Sequence, residues 1–387
     1  MELETLKSLL DIDNREHLFN KILSKLKIFA NLNYIEYDEG KTKEGIIPCL
    51  KLSRQKKIEG KKYLKIFVGA QHNEYNGLFG IVEFLDDLVK GKIKWEHIGR
   101  SDQDIIFFPL MNPYGFLNPS ESNKSGYYLK NGTNLNRYWR KTFVPQSPYN
   151  EKDANGHPIP DHTKYVKKTL QKYWQKKNIQ IYLLDFHETS LLEKYPRDLL
   201  DKLKNKSITY KFDHWLKEGI ILNIMKLNEI KYFRRPLFRK CNPSADHDHI
   251  NLSYKQLDIV YEELAKYIDK NHNKLPFYFC YANKSKDYCE RLANNVYKKL
   301  SDLLWETYYP SFDHSFYDHG CFVLMSEATP RKHIYTMELE SKKHFYDIFA
   351  EIEKSKKISD YYENQLKDIN KGLKLVKESI LQMIQQF

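Results

Sequence analysis

Apolar residues recur at helix and strand spacings along most of the chain, and this pattern orders its elements before any chemistry is considered. Leu18, Ile22, Leu26 and Phe29 share one helical face, with Asp13 and Asn14 as capping residues, which predicts an N-terminal helix over 14–30. Residues 46–52 and 63–69 read as short strands. Over 77–89, Leu78, Ile81, Phe84 and Leu88 repeat at the period of an amphipathic helix. Residues 104–110 and 179–184 are apolar without alternation, as in central strands covered on both faces. This succession predicts an α/β fold with a mixed central sheet flanked by helices.

Residues 112–165 are rich in Asn, Ser, Gly, Pro and Tyr without a period and read as long loops, where function concentrates. Residues 195–305 turn helical, with capped segments at 253–268 and 285–305, and read as a helical insertion. At the end, Tyr362, Leu366, Ile369, Leu373, Val376, Ile380 and Met383 alternate steps of four and three. That helix packs within the chain or forms a dimer contact. The expected organisation is a helix and strand over 1–55, a catalytic domain over 56–345 and a helical tail over 346–387.

Composition narrows the class. The 387 residues are 41% apolar and 14% aromatic, which excludes an intrinsically disordered chain. No apolar run reaches the roughly 18 residues of a membrane span. The first residues carry charge throughout and lack the apolar core of a secretory signal, so the expected location is the cytoplasm. The five cysteines form no C-x-x-C pair, which argues against a thiolate zinc cluster or a disulfide framework. The net charge of +12 favours anionic partners without choosing among them.

The chemistry concentrates at two strand ends. After the strand over 63–69 comes Gln71-His72-Asn73-Glu74-Tyr75-Asn76-Gly77, and after the strand ending at Leu184 comes Asp185-Phe186-His187-Glu188-Thr189. In open α/β sheets, ligands bind in the crevice beyond the strand carboxyl ends. Gln71 and Glu74 can share one side of their turn, and His187 adds an imidazole from a second strand, so the three can meet at one metal.

These blocks carry a resemblance. G-x-x-x-N-E-x-x-G after a strand, then Asn112-Pro113-Tyr114-Gly115, then Asn134-Leu135-Asn136-Arg137, then D-F-H-E-T resemble the zinc carboxypeptidase family, whose relatives include desuccinylases and aspartoacylases. The resemblance implies the family's α/β fold, one zinc ion and hydrolysis of an amide beside a free carboxylate. The family's metal motif is H-x-x-E. With Asn73, Glu74 and Gly77 in register, Gln71 stands at the histidine's position and His72 falls one residue late. Cell-shape peptidoglycan carboxypeptidases of helical bacteria resemble this chain in using Gln, Glu and His. The implied ligands are therefore Gln71, Glu74 and His187, with His72 the rival of Gln71. Three protein ligands leave a position for water, which the metal acidifies while polarising the substrate carbonyl.

By the same resemblance, Phe316 to Glu327 looks like the strand ending in the catalytic glutamate, making Glu327 the expected general base and Glu338 its rival. Arg137 would bind the substrate carboxylate as a bidentate fork, and Asn136 would assist. The family's upstream oxyanion arginine is missing, with Lys124 and Lys130 the basic residues there. Tyr308, Tyr309 and Tyr317 are candidates for the tyrosine beside the base.

The preferred expectation is a zinc metallocarboxypeptidase acting on an acidic peptide. An N-acyl-amino-acid amidohydrolase is the enzymatic alternative. A metal-free module binding acidic peptides or nucleic acid is the alternative of another class, although nucleic acid is not the expected partner. Two further features compete for a role: Asp246-His247-Asp248-His249 as a second metal cluster, and the basic stretch over 231–240 as an anion-binding face.

Overall fold

The computed structural model describes residues 15–54, 58, 60–119, 126–145, 157–189, 200–201, 203–204, 224, 227–230, 233–237, 247–281, 285–305, 311–313, 333–342 and 359–386. The chain runs through helix α1 (Arg15–Phe29), then strands β1 (Ile35–Thr42), β2 (Gly45–Ser53) and β3 (Tyr63–Ala70). Helix α2 (Asn76–Val89), β4 (Gln103–Leu110), α3 (Asp161–Trp174) and β5 (Gln180–Thr189) follow. A small antiparallel pair, β6 (Phe233–Leu237) and β7 (His247–Asn251), precedes α4 (Tyr254–Asn271), β8 (Phe277–Tyr281) and α5 (Lys286–Leu300). The chain then forms β9 (Ser311–Asp313), β10 (Ile334–Lys342) and α6 (Ser359–Gln386).

Among the described residues, eight strands form one sheet in the order β1-β2-β4-β3-β5-β10-β8-β9. Its middle is parallel: β4 beside β3, β3 beside β5 and β5 beside β10. β2 and β8 join this block antiparallel on either side. The four parallel strands therefore end along one edge, where the turns after β3 and β5 emerge.

Side chains alternate across a strand, and the core divides accordingly. On one face Phe67, Phe107, Leu184, Met337 and Leu339 pack against α1, α2, α5 and α6. On the other, Ile66, Val68, Ile181, Leu183 and Ile334 pack against α3 and the segment carrying Leu135, Trp139 and Phe143. Continuing the period of two from Ile181 and Leu183 places Asp185 and His187 on this second face, and from Ile334 it places Glu338 there as well. The site thus begins where the apolar side chains of that face stop.

Every strand and helix predicted before residue 112 is present within a residue or two, and the capping box of Ser253 and Gln256 opens α4 as expected. Over 112–165 the expected loops contain short helices, Pro113–Leu117 and Trp139–Phe143, and the start of α3. The reading of 195–305 as a helical insertion needs correction. Between its two helices lies β8, wholly buried and hydrogen-bonded to β10 within the main sheet. The heptad positions Ile369, Leu373, Val376, Ile380 and Met383 are buried in the chain's own core, with α6 lying on α2. Cys49, Cys280 and Cys289 are buried and free. No described helix is long and apolar enough to cross a membrane.

Candidate active site

Two glycines bring the ligand turn down onto β5. A Cβ at Gly69 would strike the Pro109 carbonyl of β4, and one at Gly77 would stand 2.7 Å from Phe186 Cβ and 3.1 Å from Gly69 Cα. Only hydrogen at both positions lets the start of α2 settle on the ends of β3 and β5. Glu188 then accepts the backbone N–H of Asn76 at 2.6 Å, which fastens the helix N-terminus to β5 and places a carboxylate at the positive end of its dipole.

Between these anchors the turn 71–75 is buried, with Gln71 at 0% and Glu74 at 5% exposure. Glu74 Oε2 lies 2.8 Å from His187 Nδ1, and Asp185 Oδ2 lies 3.0 Å from His187 Nε2. Gln71 Nε2 donates to the same Asp185 oxygen at 2.6 Å, while Gln71 Oε1 accepts from the Trp139 indole at 2.7 Å. Across the β5–β10 pairing Glu338 is in register with Asp185, and Glu340 with His187. Ligand-capable atoms of Asp185, His187 and Glu338 lie within 4.8 Å of one another.

The N-P-x-G block closes one side. Asn112 Oδ1 accepts the N–H of Gly115 at 2.9 Å, and Asn112 Nδ2 donates to the Gly126 carbonyl at 3.4 Å. This holds the chain that carries Tyr127. His72 donates from Nδ1 to the Tyr127 carbonyl at 2.9 Å and stacks on that ring at 4.1 Å between centroids. Of the two rivals for the ligand role, Gln71 lies beside His187, its Nε2 3.4 Å from His187 Nε2, whereas His72 is turned toward Tyr127.

Asn134 Oδ1 accepts the N–H of Asn136 at 2.9 Å and starts the turn Leu135–Arg137. Asn136 is buried, Arg137 is half-buried, and Arg137 Nη1 donates to the Asn136 carbonyl at 3.0 Å. The Arg137 charge is felt at both His72 and Tyr127, so it stands on the site's flank. Lys130 is exposed and acts on Glu44 at the β1–β2 turn. Glu327, Tyr308, Tyr309, Tyr317 and Lys124 lie outside the described residues. His247 and His249 stand on β7, paired in register with Leu237 and Arg235.

The site is a carboxyl-lined pit around one imidazole. Burial would depress His187, but Asp185, Glu338 and Glu74 outweigh it and hold the imidazole well above its usual value. Burial lifts the Glu338 carboxyl to about 7, with His187 opposing and Asp185 and Glu74 adding to the rise. Burial also raises Asp185 and, with help from Glu338, Glu340. Burial drives His72 down to about 3, so it is neutral. Asp185 Oδ1, Glu338 Oε2 and Glu340 Oε2 are buried without a hydrogen-bond partner.

Four carboxyl groups around one imidazole, several with unpartnered oxygens, fit a divalent cation. Buried charges are paired or bind metals, and Glu74 Oε2 and His187 Nδ1 face one another at 2.8 Å. The donor set, imidazole nitrogen with carboxylate and amide oxygens, is one zinc accepts. Asp185, Trp139 and Glu340 were not assigned roles from the sequence. Asp185 and Glu340 follow the strand period, two residues from His187 and Glu338 respectively, whereas Trp139 carries no such signal.

A model of the family described as zinc carboxypeptidase matches residues 36–366. No curated protein matches the sequence. Among solved structures, the chain resembles bovine thrombin-activatable fibrinolysis inhibitor in complex with tick carboxypeptidase inhibitor, at 11% identity and TM-score 0.49. That match covers 95% of this chain and 97% of the other. It resembles a metallo-carboxypeptidase from Burkholderia cenocepacia at 11% identity and TM-score 0.46, over 94% and 68% of the two chains. It also resembles a metallo-carboxypeptidase from Pseudomonas aeruginosa at 10% identity and TM-score 0.43, over 93% and 67%.

Proposed function

The chain belongs to the zinc carboxypeptidase family, and on that premise we propose that this zinc hydrolase removes the C-terminal residue of acidic peptides. One observation carries the reading: Glu74, His187 and Glu338 converge, buried, where three strands meet the crevice. Gln71, Glu74 and His187 would hold the metal. Bound there, zinc supplies Lewis acidity toward the scissile carbonyl and the attacking water.

The remaining work falls to the chain's own side chains. Glu338 acts as the general base: its carboxylate takes a proton from the attacking water and delivers it to the nitrogen as the C–N bond breaks. A carboxyl lifted to about 7 suits both halves of that transfer. β10 runs beside the strand that carries His187, with Glu338 in register with Asp185, two residues from that imidazole. Arg137 receives the substrate's terminal carboxylate through its guanidinium fork, with Asn136 beside it. The net charge of +12 supports an acidic peptide through attraction before contact.

The test is release of free C-terminal amino acid from short peptides by zinc-loaded protein. Glu338→Gln is expected to lower kcat by about 10²- to 10⁴-fold while zinc is retained, and Glu327→Gln to leave it near wild type. Wild-type turnover by Glu338→Gln overturns the assignment of the base. Equal kcat/KM for acidic and basic peptides overturns the substrate class.

A further inference from the structure

Gln71 stands where the family pattern carries a histidine, and a primary amide brings an ambiguity. Rotated half a turn about its last bond, it presents NH2 in place of oxygen. Two neighbours remove that ambiguity. The Trp139 indole N–H can only donate, and it is 2.7 Å from Gln71 Oε1. Asp185 Oδ2 is 2.6 Å from Gln71 Nε2 and accepts from it. Flipping the amide would set N–H against N–H at Trp139 and oxygen against oxygen at Asp185.

The same Asp185 oxygen lies 3.0 Å from His187 Nε2. With that nitrogen's proton given to Asp185, Nδ1 is the nitrogen left to face Glu74 Oε2 at 2.8 Å. An amide oxygen has two lone-pair sites, so the indole takes one and leaves one. Donation from Nε2 to a carboxylate also draws amide electron density onto Oε1, as outer hydrogen bonds raise the basicity of metal ligands. Asp185 is fully buried, and its other oxygen has no partner, so the carboxyl is held there by these two contacts.

We infer that Asp185 is a positioning residue that makes the Gln71 amide a usable metal ligand, holding the amide in the one orientation that leaves an oxygen lone pair free for a metal and compensating for the lost histidine. This rests on the zinc site proposed above. The experiment measures zinc dissociation constants of the full chain, stripped and reloaded, by competition with a chromophoric chelator, in a double-mutant cycle of Asp185 and Gln71.

Asp185→Ala is expected to weaken zinc by about 10- to 100-fold. Asp185→Asn keeps an acceptor oxygen in place and is expected to lose less than about tenfold. In a Gln71→Ala background the cost of either change should shrink by about threefold or more, because the partner it acts through is gone. Thermal unfolding of the metal-free variants checks that the fold is kept, and Asp185→Asn carries the same cycle should the alanine variant not fold. Equal costs in both backgrounds overturn the inference and leave the zinc reading standing. A wild type that takes up no zinc overturns both.

Discussion

Gly77 offers a direct test of how the fold sets the site. In Gly77→Ala the new Cβ would lie 2.7 Å from Phe186 Cβ and 3.1 Å from Gly69 Cα, whereas carbon atoms rest about 3.5–4.0 Å apart. Neither neighbour is a side-chain end that can swing away, so α2 must withdraw from β5 by up to about 1 Å. Overpacking of this kind costs about 1–3 kcal/mol, and the helix preference of alanine over glycine returns at most about 1 kcal/mol. The net loss is about 1–2 kcal/mol, readable as a lower denaturation midpoint in urea. The larger effect falls on the turn 71–75, because its far end is tied to α2 while His187 stays on β5. A displacement of about 1 Å can cost about 100-fold in catalysis, and zinc affinity should weaken with it. Gly80→Ala is the control. Its Cβ would meet Val376 of α6, 2.6 Å from the Val376 Cβ, so it should lose stability and leave zinc affinity alone. Wild-type zinc affinity in Gly77→Ala, or equal weakening in Gly80→Ala, would refute the reasoning.

Arg137→Lys replaces a planar fork by a point charge and should raise KM for peptides by about tenfold with kcat nearly unchanged; a fall in kcat alone would count against a carboxylate-binding role. Buried His162 has neither ring nitrogen hydrogen-bonded, and burial holds its pKa down at about 4. Its folded pKa lies below the unfolded value, so the stability it confers is present above about pH 6.5 and is lost as pH falls toward 4, by up to about 3 kcal/mol. His162→Phe should flatten that slope in denaturant titrations at pH 7 and 4.5, and an unchanged slope would contradict it. Lys61, at 2.9 Å from buried Asp104, shares that carboxylate with Ser53 and Tyr173. Lys61→Met should cost about 1–3 kcal/mol, because Asp104 loses its nearest cation and keeps Lys51 at 3.7 Å with the Ser53 and Tyr173 hydroxyls, with turnover per folded molecule unchanged.

The elements that could be read from the chain are those whose burial repeats locally. α1 and α2 show their period within about a dozen residues, β3, β4 and β5 show continuous apolar runs, and the glycines of the ligand turn mark a close approach that the sheet then enforces. β8 was missed because five apolar residues between two helices resemble a buried helix segment, and only its pairing with β10 separates the two. The same limit bears on Glu338, while Glu327 lies outside the described residues. Block order along the chain favoured Glu327, whereas the neighbour of a strand in a sheet is a long-range fact: β10 lies beside β5, and this sets Glu338 in register with Asp185. Trp139 is a stronger case, since a tryptophan set among Arg137, Arg140 and Lys141 gives no sign of its place, and it lies in the core with its indole N–H given to Gln71.

The charge distribution then has a consequence for how metal and substrate depend on one another. The chain as a whole carries +12, yet Glu74, Asp185, Glu338 and Glu340 surround a single imidazole at the centre. In the metal-free protein these groups hold His187 in its charged form, while burial raises Asp185, Glu338 and Glu340 toward their neutral forms. Exposed charges more than about 10 Å apart are screened at ordinary salt, while buried ones are screened far less. Raising salt should therefore weaken attraction by the exterior and leave the electrostatics of the pit in place. On the proposed reading, a divalent cation bound among these groups adds positive charge where the substrate's terminal carboxylate must arrive, so zinc loading should lower KM for acidic peptides, and an unchanged KM would count against the coupling.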